Sequence, residues 1–291
     1  MLKLLKTSVH RELRTGEKLT GLLEITTKLP CPNNCSICPQ AKLSEVYKGE
    51  KVLSLENFKK IIKKIPTNVI IGFAGFSEPF INRNCAEMII ETNKSHKMNL
   101  YTTAVGMTLE DVQKIKDIKF EIFMLHLPDD KYFTLKKTEA YDKVISSLKA
   151  EIPTIQTMRM ADNENMLVTR GGLLSFKPSV WKTGPITCRM GFYKNKFNRN
   201  ILLPNCDVVM CCADYGLEYP MGNLLEIEYE SLFTSDTHNK VLKASLTEEE
   251  CFICRKCEYG CDRGDEFLNY RYHLASYKIH DYPPEHENKS T

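Results

Sequence analysis

The stretch GLLEITTKLPCPNNCSICPQ, residues 21–40, joins an apolar, strand-like run to three closely spaced cysteines. Its first seven residues predict a β-strand, and Cys31, Cys35 and Cys38 follow at intervals of four and three residues. A closed metal site normally takes four protein ligands, so three thiolates would leave one position of an iron-sulfur cluster without a protein ligand. We expect that position to accept a substrate or a cofactor.

Length, composition and charge limit the classes of protein that fit this chain. Its 291 residues, 42% hydrophobic and 26% charged, suit one large domain or about two ordinary ones. A net charge of +3 gives no bulk attraction to nucleic acid. No apolar run reaches the roughly 18 residues that a membrane span needs, and no secretory signal is visible. We therefore predict a soluble, cytoplasmic protein with no nucleic-acid or membrane partner, in which twelve cysteines indicate metal or redox chemistry rather than disulfides.

Short apolar runs alternate with amphipathic helices from residue 21 onward. This order predicts an α/β fold with parallel strands, either an open sheet or a partial barrel. Strands are predicted at 21–27, 68–74, 99–104, 119–127 and 154–160. Ser54 is the expected N-cap of one helix, Thr108 and Asp111 form the expected capping box of another, and Cys85 is expected in the core. Chemistry in such sheets sits at the carboxyl ends of the strands, where the cysteine loop begins.

The pattern changes past residue 180, where helical periodicity fades and cysteines accumulate among glycine and proline. We predict a partial barrel over residues 1–184, a small cysteine-rich domain over 185–262, and a C-terminal helix and tail over 263–291. Eight late cysteines are concerned: Cys188, Cys206, Cys211, Cys212, Cys251, Cys254, Cys257 and Cys261. Four thiolates close a [4Fe-4S] cluster, and closed clusters store or relay electrons. Spacing alone leaves the partition of these thiols open, and a zinc ribbon is the alternative.

The cysteine triplet that directly follows the first strand resembles the signature of the radical SAM superfamily. The segment GFAGFSEPF, residues 72–80, resembles the superfamily's Gly-Gly-Glu-Pro segment, with Ser77 in place of a glycine. Ile37, before the third cysteine, stands where an aromatic residue is common. The resemblance implies that S-adenosylmethionine binds the open iron of a [4Fe-4S] cluster and yields a 5′-deoxyadenosyl radical. It also implies cofactor contacts from Glu78, with Ser77 and His126 as further candidates, and an electron donor such as flavodoxin or ferredoxin.

The segment CDVVMCCADYGLEYPMGNL, residues 206–224, resembles the SPASM or Twitch extension found in part of this superfamily. Matched position by position, the resemblance implies the auxiliary cluster ligands Cys188, Cys211, Cys254 and Cys257. Cys206 then stands where the family has a glycine. The full SPASM pattern has another cysteine beyond Cys261, and none follows here, so we expect one auxiliary [4Fe-4S] cluster. The alternative is a second auxiliary cluster, held by the remaining thiols Cys206, Cys212, Cys251 and Cys261.

The segments YTTA (101–104) and VTRGGLL (168–174) are further similar to short Twitch-type aminocyclitol dehydrogenases of the superfamily. The resemblance implies hydrogen abstraction from a hydroxyl-bearing carbon of a sugar, cyclitol or aminocyclitol, and two-electron oxidation to a ketone. Arg170 cannot act as a base, because guanidinium keeps its proton, but it can orient a hydroxyl and stabilise charge on its oxygen. Tyr101, Glu24 and Asp214 are further candidates for substrate contact.

Three other functions stay open at this stage. Epimerisation begins with the same hydrogen abstraction, and the extra thiols are candidates to return a hydrogen atom to the substrate. Peptide maturation is common among SPASM proteins, although about twenty residues before the first strand leave little room for a leader-recognition domain. A non-catalytic zinc or iron-sulfur binding protein is the third alternative.

Overall fold

The computed structural model describes residues 21–178, 181–193, 195–247 and 252–262. The predicted C-terminal helix and tail, and Cys251, lie outside these ranges. The strands are β1 Gly21–Ile25, β2 Val69–Phe73, β3 Met98–Thr102, β4 Ile122–His126, β5 Gln156–Met158, β6 Ile186–Cys188, β7 Phe192–Tyr193, β8 Lys196–Phe197, β9 Arg199–Leu202, β10 Asp207–Val209, β11 Pro220–Asn223 and β12 Gly260–Asp262. The helices are α1 Gln40–Val46, α2 Leu55–Ile62, α3 Cys85–Asn93, α4 Leu109–Ile115, α5 Glu139–Glu151 and α6 Asp236–Ala244. Of the helices described, none is long and apolar enough to cross a bilayer.

One mixed sheet organises the described chain, in the order β11-β10-β9-β1-β2-β3-β4-β5. The strands from β9 through β5 are parallel, and β10 and β11 continue the sheet in antiparallel fashion. The predicted parallel α/β sheet is thus confirmed. The sheet is continuous across the boundary predicted near residue 184, because β9 pairs directly with β1 and places Arg199 opposite Leu22. Two short pairs, β6 with β12 and β7 with β8, stand outside it.

Local signals explain why the helices begin where they do. Ser54 caps α2 by accepting a hydrogen bond from the backbone N–H of Asn57, and Thr108 and Asp111 form the capping box of α4, as predicted. Helix α1 was not predicted. It begins after Pro39 without a side-chain cap and buries Leu43 alone, so it carries neither a capping signal nor an apolar face.

The two faces of the sheet differ in chemistry. Because side chains alternate along a strand, Leu23, Ile71 and Leu100 point to the helix-covered face and join the main core. Cys85 of α3 is buried in the same core, as predicted. The opposite, inner face presents the polar side chains Glu24, Asn99, Tyr101, His126 and Arg199. A polar inner face next to the cysteine loop is where a polar ligand would meet the strands.

Candidate active site between two sets of cysteines

The loop between β1 and α1 holds Cys31, Cys35 and Cys38 at the carboxyl end of β1. Burial raises the pKa of Cys31 to about 11 and of Cys35 to about 12, and the neighbouring thiols add to the shift by mutual repulsion. Without a metal, these two side chains are therefore neutral thiols at neutral pH. Metal binding would release their protons and remove the cost of burying the thiolates.

Hydrogen-bond donors approach two of the three sulfurs. The backbone N–H of Glu78 donates to Cys31 Sγ at 3.4 Å. Cys38 Sγ lies 3.4 Å from Gln40 Nε2 and also 3.4 Å from the hydroxyl oxygen of Tyr215. The tyrosine comes from the C-terminal half of the chain, so the loop is contacted by both halves.

Glu78 lies just after β2 and is held by the YTTA segment at the end of β3. Its carboxylate accepts hydrogen bonds from Thr102 Oγ1 at 2.6 Å, from Thr103 N and Oγ1 at 2.7 Å each, and from Phe80 N at 3.2 Å. Burial raises the pKa of Glu78, and the threonine hydrogen bonds oppose that shift. The YTTA segment, which carried a family resemblance, thus fixes the Glu78 carboxylate beside the cysteine loop.

The two further predicted cofactor residues are Ser77, which precedes Glu78 in the chain, and His126. Ser77 Oγ is buried and has no hydrogen-bond partner among the described residues. Buried hydroxyls normally find a partner, so this one suits a bound polar ligand. His126 ends β4 on the inner face, where burial lowers its pKa to about 4 and keeps the imidazole neutral at neutral pH. Cofactor binding by Ser77, Glu78 and His126 stays a prediction.

A second set of thiols surrounds one buried cavity. Its lining includes the five cysteines Cys188, Cys211, Cys212, Cys254 and Cys257. Burial raises the pKa of Cys188 to about 11 and of Cys257 to about 12, and it raises those of Cys211 and Cys254 as well. The four ligands implied by the family resemblance are therefore brought together, with Cys212 as a fifth neighbour.

The remaining late cysteines do not line that cavity in the described ranges. Cys206 is packed in the main core and adopts a φ of +73°, the left-handed region that favours glycine. This agrees with its place at a family glycine. Cys261 lies in β12, which pairs with β6. Of the thiols left open for a second auxiliary cluster, Cys212 is the one that the described structure places beside the first.

Both thiol sets have the donor chemistry of an iron-sulfur site. Across the described ranges, no three histidine, cysteine, aspartate or glutamate side chains converge closely enough to ligate a single metal ion. An iron-sulfur cluster spreads its thiolate ligands over several iron atoms, and thiolates are the ligands it takes. The residues present fit an open cluster at the triplet and a closed cluster at the cavity.

Arg170 lies between the two sets. Its guanidinium carbon is 5.9 Å from the centre of the Tyr215 ring, close enough to Cys38 and Cys212 for electrostatic interaction with both. Its Nε atom is buried without a hydrogen-bond partner among the described residues, and its φ is +54°. Unusual backbone and unpaired donors of this kind cluster at functional sites.

The Gly-Gly turn after Arg170 has a packing requirement. A Cβ added at Gly171, which has a φ of +68°, would lie 2.5 Å from Ile253 Cγ1, next to Cys254. Thr169 N donates to Glu258 Oε1 at 2.7 Å, on the other side of Cys257. The TRGG segment is therefore seated against the second thiol set, and this holds Arg170 at the boundary between the two.

The other three predicted substrate residues have structural partners. Glu24 accepts hydrogen bonds from Arg199 Nε at 3.2 Å and Nη2 at 3.0 Å. Tyr101 packs on the inner-face cluster around Met124. Asp214 accepts the backbone N–H groups of Glu218 and Tyr219 at 2.9 Å each, and burial raises its pKa to about 6. Asp214 therefore stabilises its own loop. Glu24 and Tyr101 lie on the inner face of the sheet. Substrate contact by all three residues stays a prediction.

Sequence reasoning missed Arg199 and Tyr215. Arg199 pairs with Glu24 and also lines the thiol cavity, so it connects the inner face with the second set. A charged residue at the start of the apolar strand RNIL was the available signal for it. Tyr215 gave no such signal, because nothing local distinguishes it from a core aromatic residue.

Residues 194–258 match the family model of SPASM, an iron-sulfur cluster-binding domain. No curated protein sequence matches the chain. The match begins just before β8, continues beyond α6, and includes Cys211, Cys212, Cys254 and Cys257. The resemblance of residues 206–224 to a SPASM-type cluster domain is therefore confirmed.

Solved structures share the fold of this chain. A structure of BtrN in complex with AdoMet and 2-DOIA is 17% identical, with a TM-score of 0.61 over 83% of this chain and 94% of that one. Native anSMEcpe with bound AdoMet is 13% identical, with a TM-score of 0.54 over 86% and 96%. Streptococcus suis SuiB bound to precursor peptide SuiA is 11% identical, with a TM-score of 0.52 over 82% and 70%. At these identities the likeness establishes the fold.

Proposed function

We propose that this protein is a radical SAM oxidoreductase that oxidises a hydroxyl-bearing carbon of a sugar, cyclitol or aminocyclitol to a ketone. The observation that carries the proposal is Arg170, whose buried Nε has no partner among the described residues and which lies between the two thiol sets. Two likenesses support it. One is the sequence resemblance to the 2-deoxy-scyllo-inosamine dehydrogenase of butirosin biosynthesis, and the other is the structural likeness to BtrN.

The two thiol sets would hold different groups. The triplet Cys31, Cys35 and Cys38 would hold a [4Fe-4S] cluster with S-adenosylmethionine, the cofactor present in the BtrN and anSMEcpe structures. The ligands of the auxiliary [4Fe-4S] cluster would be Cys188, Cys211, Cys254 and Cys257. When bound, these groups supply a 5′-deoxyadenosyl radical for hydrogen abstraction and an acceptor for one electron. A flavodoxin or ferredoxin would be the source of the reducing electron.

The residues around the triplet are suited to hold the cofactor. The Glu78 carboxylate, fixed by Thr102 and Thr103, offers negative charge to an ammonium group. The Ser77 hydroxyl has its hydrogen-bonding capacity free for a ligand. The neutral imidazole of His126 can donate one hydrogen bond and accept another without bringing charge into the cavity.

The residues between the two sets are suited to a polyhydroxylated substrate. Oxidation of a secondary alcohol to a ketone removes one hydrogen atom, one proton and one electron. Arg170 would donate to the reacting hydroxyl and stabilise negative charge on its oxygen as the proton leaves. The Glu24–Arg199 pair makes the inner face polar, and Asn99 Oδ1 is buried there without a hydrogen-bond partner among the described residues. A polar substrate can donate a hydrogen bond to Asn99 Oδ1, whereas an apolar one would leave it unpaired.

An assay of cofactor cleavage tests the proposal. Anaerobically reconstituted protein, with iron and sulfide counted, would be given reductant, S-adenosylmethionine and a panel of cyclitols and aminocyclitols. We expect 5′-deoxyadenosine together with a ketone product, and deuterium from the reacting C–H recovered in the 5′-deoxyadenosine. Fully loaded protein that forms no 5′-deoxyadenosine would refute the activity. A peptide that is the productive substrate in place of the polyols would refute the substrate class.

Cys212 favours epimerisation as a second candidate. It is the fifth thiol at the cavity, and it is close enough to Arg170 and Tyr215 for electrostatic interaction. A thiol in that place could return a hydrogen atom to a substrate radical, and one electron from the proposed flavodoxin or ferredoxin with a proton from water would restore the thiol from its thiyl radical. Reaction in D₂O separates the two outcomes, because epimerisation would introduce one solvent deuterium at carbon and give no ketone. Deuterium incorporation that disappears in Cys212→Ala would favour the epimerase.

A further inference from the structure

Tyr215 reaches across the molecule to a sulfur of the triplet. It is 3% exposed, and its hydroxyl oxygen lies 3.4 Å from Cys38 Sγ, although the two residues are 177 positions apart in the chain. Its ring packs against Phe76 with the ring centres 4.3 Å apart. The tyrosine is therefore buried and packed in place, and its contact with Cys38 is partly buried.

The direction of this hydrogen bond follows from the chemistry of a cluster ligand. A cysteine that binds iron is a thiolate and has no hydrogen to donate, so the Tyr215 hydroxyl must be the donor. Donors to cluster sulfurs, together with nearby positive charge, favour the reduced state, because reduction adds negative charge to the cluster. Arg170 adds such a charge 5.9 Å from the Tyr215 ring centre.

We propose that Tyr215 is a positioning residue that raises the reduction potential of the cluster held by the triplet. The inference rests on the proposed function in that the triplet must hold an iron-sulfur cluster, but it does not depend on the substrate or on the reaction. The residue belongs to the SPASM-type segment, so the C-terminal part of the chain sets the potential of the N-terminal cluster. Gln40, 3.4 Å from the same sulfur, supplies a second donor from the triplet's own loop.

The position of Tyr215 depends on the second thiol set. It lies four residues after Cys211 and three after Cys212 in the segment CCADYG, and both of these thiols line the cavity. The segment is closed by Asp214, whose backbone N–H donates to Cys211 O at 3.1 Å. Assembly of the auxiliary site would therefore fix the donor that acts on the first cluster, which couples the two sites through one short loop.

A redox titration of Tyr215→Phe, followed by electron paramagnetic resonance, tests the proposal. The variant keeps the ring and removes the donor. We expect the reduced-to-oxidised ratio of the triplet cluster at a fixed potential to fall roughly tenfold, which for a one-electron couple is a shift of about 59 mV to lower potential. The auxiliary cluster should titrate as before. An unchanged potential of the triplet cluster in fully loaded protein would overturn the inference.

Two further variants keep the test decisive. Tyr229→Phe is the matched control, because its buried hydroxyl donates to Asn198 Oδ1 at 2.6 Å in the main core, and it should leave the triplet cluster's potential unchanged. Site-specific 3-fluorotyrosine at position 215 keeps the shape and makes the hydroxyl a stronger donor, so the potential should rise. No rise with the fluorinated residue would contradict the proposal even if Tyr215→Phe failed to load its cluster. Absence of 5′-deoxyadenosine with a normal Tyr215 effect would refute the proposed activity alone.

Discussion

The two thiol sets are built in opposite ways. The triplet comes from one loop, residues 31–38, at the end of a single strand. The nearby buried hydroxyl of Ser77 has no hydrogen-bond partner in the part of the chain that the structure describes. The second set is drawn from three separate segments and encloses a cavity. A contiguous loop leaves one side open for a ligand, whereas thiols from several segments can close around what they hold. The difference supports the proposal that one site exchanges a cofactor and the other keeps its cluster.

Loss of one triplet ligand should have the largest effect. Cys35→Ala removes one of three thiolates, and nothing else in that loop can replace it. We expect 5′-deoxyadenosine formation to fall to background, while the auxiliary cluster is retained in iron and sulfide counts. Liquid chromatography of the reaction measures the first and chemical analysis the second. If Cys35→Ala still cleaved S-adenosylmethionine, the triplet would not be the open site that binds the cofactor.

Loss of two ligands of the second set should separate cofactor cleavage from product formation. In Cys254→Ala/Cys257→Ala the triplet is intact, so 5′-deoxyadenosine should still form, but ketone formation should disappear because the second electron has no acceptor. Cys206→Ala is the matched control, since Cys206 does not line the cavity. Unchanged ketone turnover in the double variant would refute the role of the second set as electron acceptor.

Arg170→Lys should weaken the reaction without affecting either cluster. Lysine keeps the positive charge but loses the planar array of donors, and loss of one such preorganised donor typically lowers turnover about 10²- to 10³-fold. The control is Arg159→Lys, at a half-exposed position with a surface ion pair to Asp162. Steady-state ketone formation measures both, and equal rates for the two variants would remove Arg170 from the substrate site.

The smallest expected effect concerns the support of Glu78. Thr103→Val removes one of the two hydrogen bonds from Thr103 to the carboxylate, together with the hydrogen bond that Thr103 Oγ1 accepts from Asn33 Nδ2 in the cysteine loop, and keeps the side-chain shape. Loss of such supporting hydrogen bonds around a metal or cofactor site typically costs about tenfold in affinity, so S-adenosylmethionine should bind about tenfold more weakly. Equilibrium binding to loaded protein measures this. Thr234→Val, at a surface hydroxyl, should bind the cofactor normally; if both variants bound it equally well, Glu78 would not be the cofactor's carboxylate.

Features that depend on nearby residues were predictable from the sequence. The five parallel strands β1 to β5, the Ser54 cap and the Thr108–Asp111 capping box follow from periodicity and from residues three positions apart. The gathering of Cys188, Cys211, Cys254 and Cys257 followed from a family resemblance, and their shared cavity agrees with it.

Features that join distant parts of the chain were not predictable. The Tyr215–Cys38 contact spans 177 positions and the Arg199–Glu24 pair spans 175. Both depend on the packing of the C-terminal segment beside β1, for which the sequence carries no periodic signal. The domain boundary near residue 184 was read from a change in composition, and composition does not reveal that the sheet continues across it.

The pairing of β9 with β1 makes the separation of the two sites a matter of strand register. Arg199 stands opposite Leu22, and Ile201 opposite Glu24. A slip of one residue would turn Arg199 to the helix-covered face and break its pair with Glu24. The hydrogen-bond register between these two strands therefore fixes the position of Arg199 relative to the inner face. In the proposed reaction, it would fix the distance that an electron crosses from the inner face to the second thiol set.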